Sequence, residues 1–410
     1  MSSKYVVIIC DGMSDFPMEE FGGKTVLEYA ATPNMDKLAV MGSCGLAKTV
    51  PDGMTPGSDI ANLSIFGYNP RKYFTGRAPL EAINLGLELG ENDAAFRCNI
   101  LTLENGCMKD FCADHIDTAL SSVIIDEFNR QNDNSDFEFY TGVSYRNIFI
   151  WRNYPYKDIT TATPPHDIQG KETSSYLPSG SGSEEILSLM KKSESVIASS
   201  AVKEAMKKYK GDPVSFWIWG GGRKPALTKY SDRFSLKGVT ISAVDLINGI
   251  GRAVGLDPVK VEGATGYIDT NYRGKADAAL EALRSGSDIA FIHLESPDES
   301  GHEGNSEHKL KSIQDIDSLI VGPVYEALSS EYTDYSIIIM PDHSTPLKVR
   351  THTPEPVPFL IYSSKGISGS EKFKAVDSFS EKNSASTGLY FDDASVIVEA
   401  MIRNTLKSSK

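Results

Sequence analysis

Cysteine is sparse in this chain. Five residues in 410 are cysteine, at Cys10, Cys44, Cys98, Cys107 and Cys112, an odd number with no CxxC pair. That argues against a disulfide scaffold and a paired-cysteine zinc site, and for reduced thiols in a cytoplasmic protein. Basic charge is short as well. Lys and Arg total 41 against 55 Asp and Glu, a formal net charge of −14. Wholesale binding to nucleic acid or to an anionic membrane needs basic surface and is not expected. Long apolar runs are missing. The stretch Tyr5–Cys10 is too short for a signal segment or a membrane span, and no later stretch reaches spanning length. Gly220-Gly221-Gly222-Arg223-Lys224-Pro225 follows a strand-like segment but lacks the P-loop pattern. No internal repeat is visible. With 40% hydrophobic and 23% charged residues, the rest reads as a soluble globular protein of two or three domains. An acidic enzyme can still hold a phosphorylated small molecule if metal ions supply a positive centre.

What is present is a repeated device. Tyr5–Cys10 ends on Asp11. Asp288–Leu294 leads into Asp298-Glu299-Ser300-Gly301-His302. Tyr335–Pro341 ends on Asp342-His343. Apolar, β-branched runs of this length read as buried strands. In open α/β sheets, sites lie just beyond the carboxyl ends of strands. Asp298 and His302 stand four apart, so a helical turn would put both on one face. His352 lies in the loop Arg350–Pro354. Carboxylate with imidazole and no cysteine suits Mn²⁺, Zn²⁺ or Mg²⁺. Asp11, Ser58, Asp298, His302, Asp342, His343 and His352 are too many for one tetrahedral ion and suit two. Taken singly, each has a plainer reading: a βα turn at Asp11-Gly12, a chance DxxxH, a helix cap at Ser58. The joint position of the three acidic residues at strand ends favours the metal.

Thr32 is the expected N-cap of a helix opening at Pro33, and Ser58 or Asp59 opens another after Pro56-Gly57. From residue 93 to 180 the texture changes. Two runs flank the hairpin signal Glu104-Asn105-Gly106, Phe137–Tyr140 and Tyr145–Trp151 alternate, and Thr118–Arg130 has helical spacing. A flexible stretch at Leu177–Ser183 precedes a helical run from Glu184 to Lys210. Strand and helix patterns then alternate again from Val214–Trp219, through Gly238–Ala243, Leu246–Val254, Lys260–Glu262 and Lys275–Leu283, which argues for a doubly wound, mostly parallel sheet. The expected organisation is a discontinuous core, residues 1–92 and 211–410, with an inserted α+β domain at 93–210. The tail Lys407–Lys410 is expected to fray. Oligomeric state is not readable.

Ser58 makes the set more than a cage. A serine opening a helix has backbone N–H groups and the positive helix end beside it, both suited to an anion. A metal on its Oγ would ease loss of the proton and make a nucleophile.

The same residues resemble the cofactor-independent (2,3-bisphosphoglycerate-independent) phosphoglycerate mutases of the archaeal type, in the alkaline phosphatase superfamily. The carrying motifs are Asp11-Gly12-Met13, Gly22-Gly23-Lys24-Thr25, Ala31–Asp36, Thr55–Asp59, Tyr73–Arg77, Phe96–Asn99, Gly263–Gly266, Pro297-Asp298 with Gly301-His302, and Pro341–Pro346. They span nearly the whole chain. The resemblance implies an alkaline-phosphatase-like fold and an isomerase of glycolysis and gluconeogenesis. It implies one ion, Mn²⁺ first, on Asp298, His302 and His352, and a second on Asp11, Ser58, Asp342 and His343. Ser58 would carry the phosphoryl group while the glycerate re-orients, with a closing insert excluding water. Cations should hold the substrate's carboxylate and phosphate, and His115, Arg146, Arg223 and Lys275 are the candidates. One departure stands out: many archaeal-type mutases are arginine-rich where this chain has Lys109–His115. That variant is similar to a branch proposed to act as homoserine kinases, which is the second reading. A metal-dependent phosphomonoesterase is the third.

Overall fold

In the computed structural model the described residues are 3–209, 211 and 214–406. The tail Lys407–Lys410 and Lys210 lie outside them. The chain divides into two compact units, Met1–Phe74 with Leu227–Lys410, and Thr75–Ala226. The expected insert, residues 93–210, falls within the second.

The first unit is built on an eight-stranded sheet. Lys4–Cys10 lies between Ile289–Leu294 and Tyr335–Met340, parallel to both. Gly238–Ile241 and then Asp257–Pro258 extend one side in parallel. On the other side Val357–Ser363 and Ser43–Ala47 run antiparallel, and Tyr390–Phe391 closes that edge. Both edge strands have two residues, which leaves little unpaired backbone to recruit another chain. The central strands are buried along their whole length. That explains why they read as continuous apolar runs rather than alternating ones. Each fully buried Val or Ile contributes roughly 1.5–3 kcal/mol. Register decides the site. Cys10 stands opposite Leu294, and Ile9 opposite Met340, so all three strands end at one level. Asp11, the start of the helix Ser296–Glu303, and Asp342 emerge there together.

Local readings are refined at one point and corrected at two. Thr32 occupies the N-cap of Pro33–Met41 but makes no capping hydrogen bond. Asp317 caps that helix instead, accepting from the backbone N–H of Asn34 and Met35. Lys260–Glu262 is not a strand; pairing on that edge stops at Pro258, and the chain turns at Gly263 with φ +73°. Val214–Arg223 does not reopen the core alternation. It pairs antiparallel with Ala94–Thr102 in the second sheet, because an apolar strand carries no mark of the sheet it will join.

That second sheet is antiparallel. Ala94–Glu104 pairs with Cys107–Asp110, Arg146–Trp151 and Val214–Arg223, and Phe137–Val143 pairs with Arg146–Trp151. The helices Thr118–Gln131 and Ser183–Ile197 pack on it around Phe128, Phe139, Phe149 and Phe216. Phe128 and Phe139 have ring centroids 4.4 Å apart, and Phe139 and Phe149 4.7 Å. The triple glycine is explained here. A Cβ on Gly221 would lie 2.3 Å from the Phe96 ring, and one on Gly222 2.2 Å from the Thr75 carbonyl. These glycines allow close packing rather than cradling a phosphate.

Candidate metal centre

All the acids and imidazoles expected at strand ends lie in the first unit and converge. Asp298 and His302 share the helix Ser296–Glu303, with Asp298 Oδ2 3.2 Å from His302 Nε2. Asp298 Oδ1 is 3.5 Å from His352 Nε2, and the two histidine Nε2 atoms are 3.1 Å apart. His343 Nε2 lies 3.5 Å from Asp11 Oδ1, 3.4 Å from Asp342 Oδ2 and 3.2 Å from Ser58 Oγ. Ser58 is the first residue of Ser58–Ile65, with Gly57 at the N-cap. By ligand-atom proximity the groups are Asp298 with His343 and His352, and Asp11 with His293 and Asp342. His343 therefore stands between the two sets.

The carboxylates are arranged at a cost that a cation would offset. Asp11, Asp298 and Asp342 are 1%, 5% and 0% exposed. Burial, then the charges of Asp342 and Asp298, push the Asp11 carboxyl well above its ordinary range. Burial also opposes ionisation of Asp298, but hydrogen bonds from His302 and His352 outweigh it and hold its carboxyl well below the usual value. Burial works against the charged form of His302, yet Asp298 pushes it up to about 9. His343, wholly buried, is pushed down to about 4, chiefly by burial. Asp11 Oδ1 is buried with no hydrogen-bond partner. An orphaned carboxylate oxygen facing imidazole nitrogens is a donor set that fits hard or borderline divalent ions.

Several residues that build this centre were not singled out in the sequence. His293 Nε2 lies 2.9 Å from Asp11 Oδ2. Asn62, four residues after Ser58, donates to the Ser58 carbonyl at 2.9 Å and to Asp342 Oδ2 at 2.7 Å, tying nucleophile candidate to ligand. Thr345 Oγ1 hydrogen-bonds Asp298 Oδ1 and lies 3.2 Å from His343 Nδ1. Lys309, fully buried, donates to Asp15 Oδ2 at 2.8 Å, to the Thr345 carbonyl at 2.8 Å and to the Ser14 carbonyl at 3.3 Å. The available signal was a histidine inside an otherwise apolar strand at 289–294. Asn62 and Lys309 carried none, since polar positions on helices are usually solvated.

The substrate-residue candidates have different fates. Lys275 does not offer its charge outward. It is 1% exposed, donates to the His293 carbonyl at 3.1 Å, and is pushed down to about 8 by burial. The reason is its place on the inner face of Tyr272–Arg284, among Tyr272, Ala276 and Ala279. Arg223 Nη2 donates to the Tyr156 carbonyl at 2.5 Å, and its guanidinium stacks over Tyr154. It therefore holds a loop within the second unit. His115 is exposed at the end of a left-handed run, with φ +50°, +52° and +51° at Ala113, Asp114 and His115. Such backbone costs on the order of 1–2 kcal/mol per residue. Its ring stands edge-on to Tyr145. Arg146 stacks over the same tyrosine at 5.3 Å, and its Nε is buried without a partner. Near it Arg97, 3% exposed, donates to Glu81 at 2.7 Å and to Asn99 at 3.2 Å, also with an orphaned Nε. Arg77 donates to the same Glu81 oxygen at 2.8 Å. Three guanidiniums thus gather around one carboxylate in the second unit.

Comparison with known proteins points one way. A family model described as 2,3-bisphosphoglycerate-independent phosphoglycerate mutase matches residues 39–203. A Geobacter sulfurreducens protein named as a probable enzyme of that kind is 45% identical over 97% of this chain and 99% of its own. The Methanosarcina acetivorans enzyme of that name is 46% identical over 88% of this chain and 90% of its own. A solved Pyrococcus horikoshii structure covers all of both chains at 30% identity with a TM-score of 0.80. The cofactor-independent phosphoglycerate mutase of Thermoplasma acidophilum, at 23% identity and TM-score 0.62 over 98% of this chain and 99% of its own, shares the fold.

Proposed function

Because this chain belongs to the 2,3-bisphosphoglycerate-independent phosphoglycerate mutases, which are isomerases, we propose that it interconverts 3-phosphoglycerate and 2-phosphoglycerate through a phosphorylated Ser58. The observation that carries this is the placing of Ser58 Oγ at a helix start, 3.2 Å from His343 Nε2 and beside the convergent carboxylates. One ion, Mn²⁺ first, would be held by Asp298, His302 and His352, and a second by Asp11, Ser58, Asp342 and His343. Bound divalent ions would neutralise phosphate oxygens and ease loss of the Ser58 proton. The first-turn backbone N–H groups beside Ser58 are suited to the phosphate. Ser58 Oγ forms a bond to phosphorus as the bond to the substrate oxygen breaks, and the serine proton ends on the freed glycerate hydroxyl. The other glycerate hydroxyl then reverses the step. Of the substrate-cation candidates, Lys275 donates inward and Arg223 holds a loop, which leaves Arg146 and His115 as the residues to test. Arg146 keeps a buried Nε without a partner, which favours it.

The test is one set of incubations with Mn²⁺. 3-Phosphoglycerate should yield 2-phosphoglycerate, and ATP with homoserine should yield nothing. Phosphohomoserine without 2-phosphoglycerate would sink the mutase reading in favour of the kinase-like one. Release of inorganic phosphate alone would favour a phosphomonoesterase. Ser58→Ala should lower turnover by a factor of about 10³ or more, as loss of a nucleophile does. Turnover near wild type in that variant would remove Ser58 from the mechanism.

A further inference from the structure

His293 belongs to neither proposed ligand set, yet it touches the centre. It lies in the strand Ile289–Leu294 and is 1% exposed. Its Nε2 is 2.9 Å from Asp11 Oδ2, and its Nδ1 is 3.2 Å from Ser242 Oγ. The Ser242 hydroxyl already accepts from the Val244 N–H at 3.0 Å. A neutral imidazole has one N–H donor and one bare acceptor nitrogen. A metal ion needs Asp11 as the carboxylate, which can only accept, so in the metal-loaded protein the proton facing Asp11 is on Nε2. Nδ1 is then bare and receives the Ser242 O–H, the one proton that hydroxyl has to give. The Ser242 hydroxyl, which can donate or accept, is compatible with that tautomer. With Nε2 protonated, His293 has no lone pair to give an ion on the Asp11 side. The other Asp11 oxygen, Oδ1, is the one left buried and unpartnered.

We propose that His293 is a positioning residue. It clamps Asp11 through Oδ2 and so presents Oδ1 to the ion, with Ser242 hydrogen-bonded to its other ring nitrogen. Lys275, donating to the His293 carbonyl, braces the strand at the same residue. Hydrogen-bonded partners of this kind orient a ligand and tune its basicity, and losing one typically lowers metal affinity about 10–100-fold. The inference rests on the assignment of Asp11 as a ligand made above.

The experiment measures Mn²⁺ binding to the full chain by calorimetry and by electron spin-echo spectroscopy of the bound ion. His293→Leu removes the donor and should weaken binding about 10–100-fold. His293→Gln keeps an N–H near the Nε2 position and should bind within about threefold of wild type, by the same logic of a retained donor. The number of histidine nitrogens coupled to Mn²⁺ should be equal in wild type and His293→Gln. Loss of one coupled nitrogen, with Gln as weak as Leu, would make His293 a ligand and overturn the proposal. So would wild-type affinity in His293→Leu. Should His293→Leu not fold, ¹⁵N-histidine spectra of the wild-type chain loaded with diamagnetic Mg²⁺ or Zn²⁺ decide the tautomer, since only seven histidines are present. A protonated Nδ1 on His293 overturns the inference. A wild-type chain that binds no Mn²⁺ would instead remove the metal reading on which it rests.

Discussion

Lys309→Met should destabilise the first unit and weaken its metal centre together. The lysine is wholly buried, and its partner Asp15 has a side chain 1% exposed. Removing the ammonium leaves that carboxylate uncompensated, which typically costs about 3–5 kcal/mol. Two donors remain to Asp15, the N–H of Phe16 at 2.8 Å and that of Leu347 at 3.2 Å, so the lower end applies. The carbonyls of Ser14 and Thr345 also lose a charged donor, while the lysine's own desolvation cost disappears. These partly cancel, and a net loss of about 3 kcal/mol is expected. Asp15→Asn alone strands the ammonium in the same way. The double variant strands neither charge, so a double-mutant cycle should return a coupling of about 2 kcal/mol or more. Urea unfolding followed by circular dichroism measures this on the transition of the first unit, since a chain of two units need not unfold in one step; Trp151, Trp217 and Trp219 all lie in the second unit, so tryptophan fluorescence identifies that unit's transition separately. The functional consequence follows from Thr345. Lys309 holds its carbonyl, and its hydroxyl bonds Asp298 and faces His343. Mn²⁺ affinity should therefore fall about tenfold in Lys309→Met. A loss below about 1 kcal/mol, or a coupling below about 0.5 kcal/mol, would refute the view that this buried pair holds the site loops.

Other outcomes are equally direct. Gly12 has φ +61°, and a Cβ there would lie 2.6 Å from Asp298 Cα and Oδ1. Gly12→Ala should displace Asp298 and cut Mn²⁺ affinity more than about tenfold, measured by titration, because strain and steric overlap fall on a ligand. Glu81→Gln removes the carboxylate against which Arg97 is buried, and should destabilise the second unit by about 3 kcal/mol in urea. Burial raises the Glu81 carboxyl, but Arg97 and Arg77 outweigh it and bring the net value below 4.5. The wild-type contribution is thus present above pH 4.5 and lost as pH falls below it. His302 runs the opposite way. Its folded value, about 9, exceeds the ordinary 6.5, so in metal-free protein its contribution to stability is full below pH 6.5 and disappears as pH rises through 9. Metal requires the neutral ring, so Mn²⁺ affinity should rise up to about tenfold per pH unit over that range and level off above it; a flat profile would contradict His302 as a ligand.

Much of the centre was legible before any coordinates. Asp11, Asp298 and Asp342 follow apolar strands, and a parallel sheet whose strands end in register must bring such residues to one edge. Asp298 and His302 needed only the helical repeat. The hairpin at Glu104-Asn105-Gly106 and the helix Thr118–Gln131 were equally local, since turn chemistry and the 3.6-residue period act within a few residues.

What the chain alone could not say concerns partners distant in sequence. Val214–Arg223 is apolar whichever sheet it joins, and its pairing with Ala94–Thr102 depends on a fit formed only on folding. Lys275 read as a cation for the substrate and Lys309 carried no signal, until the packing of their helices turned both inward. Arg97 and Glu81 meet across a strand and a helix 16 residues apart. His293 looked like one polar residue in a strand. Its role follows from Ser242, 51 residues before it, and Asp11, 282 before it, each hydrogen-bonded to one ring nitrogen. Residue types and local spacing determined which chemistry this protein carries. Tertiary structure decided which side chains hold those groups in place, because burial and hydrogen-bond partnership are properties of the folded neighbourhood and not of the residue.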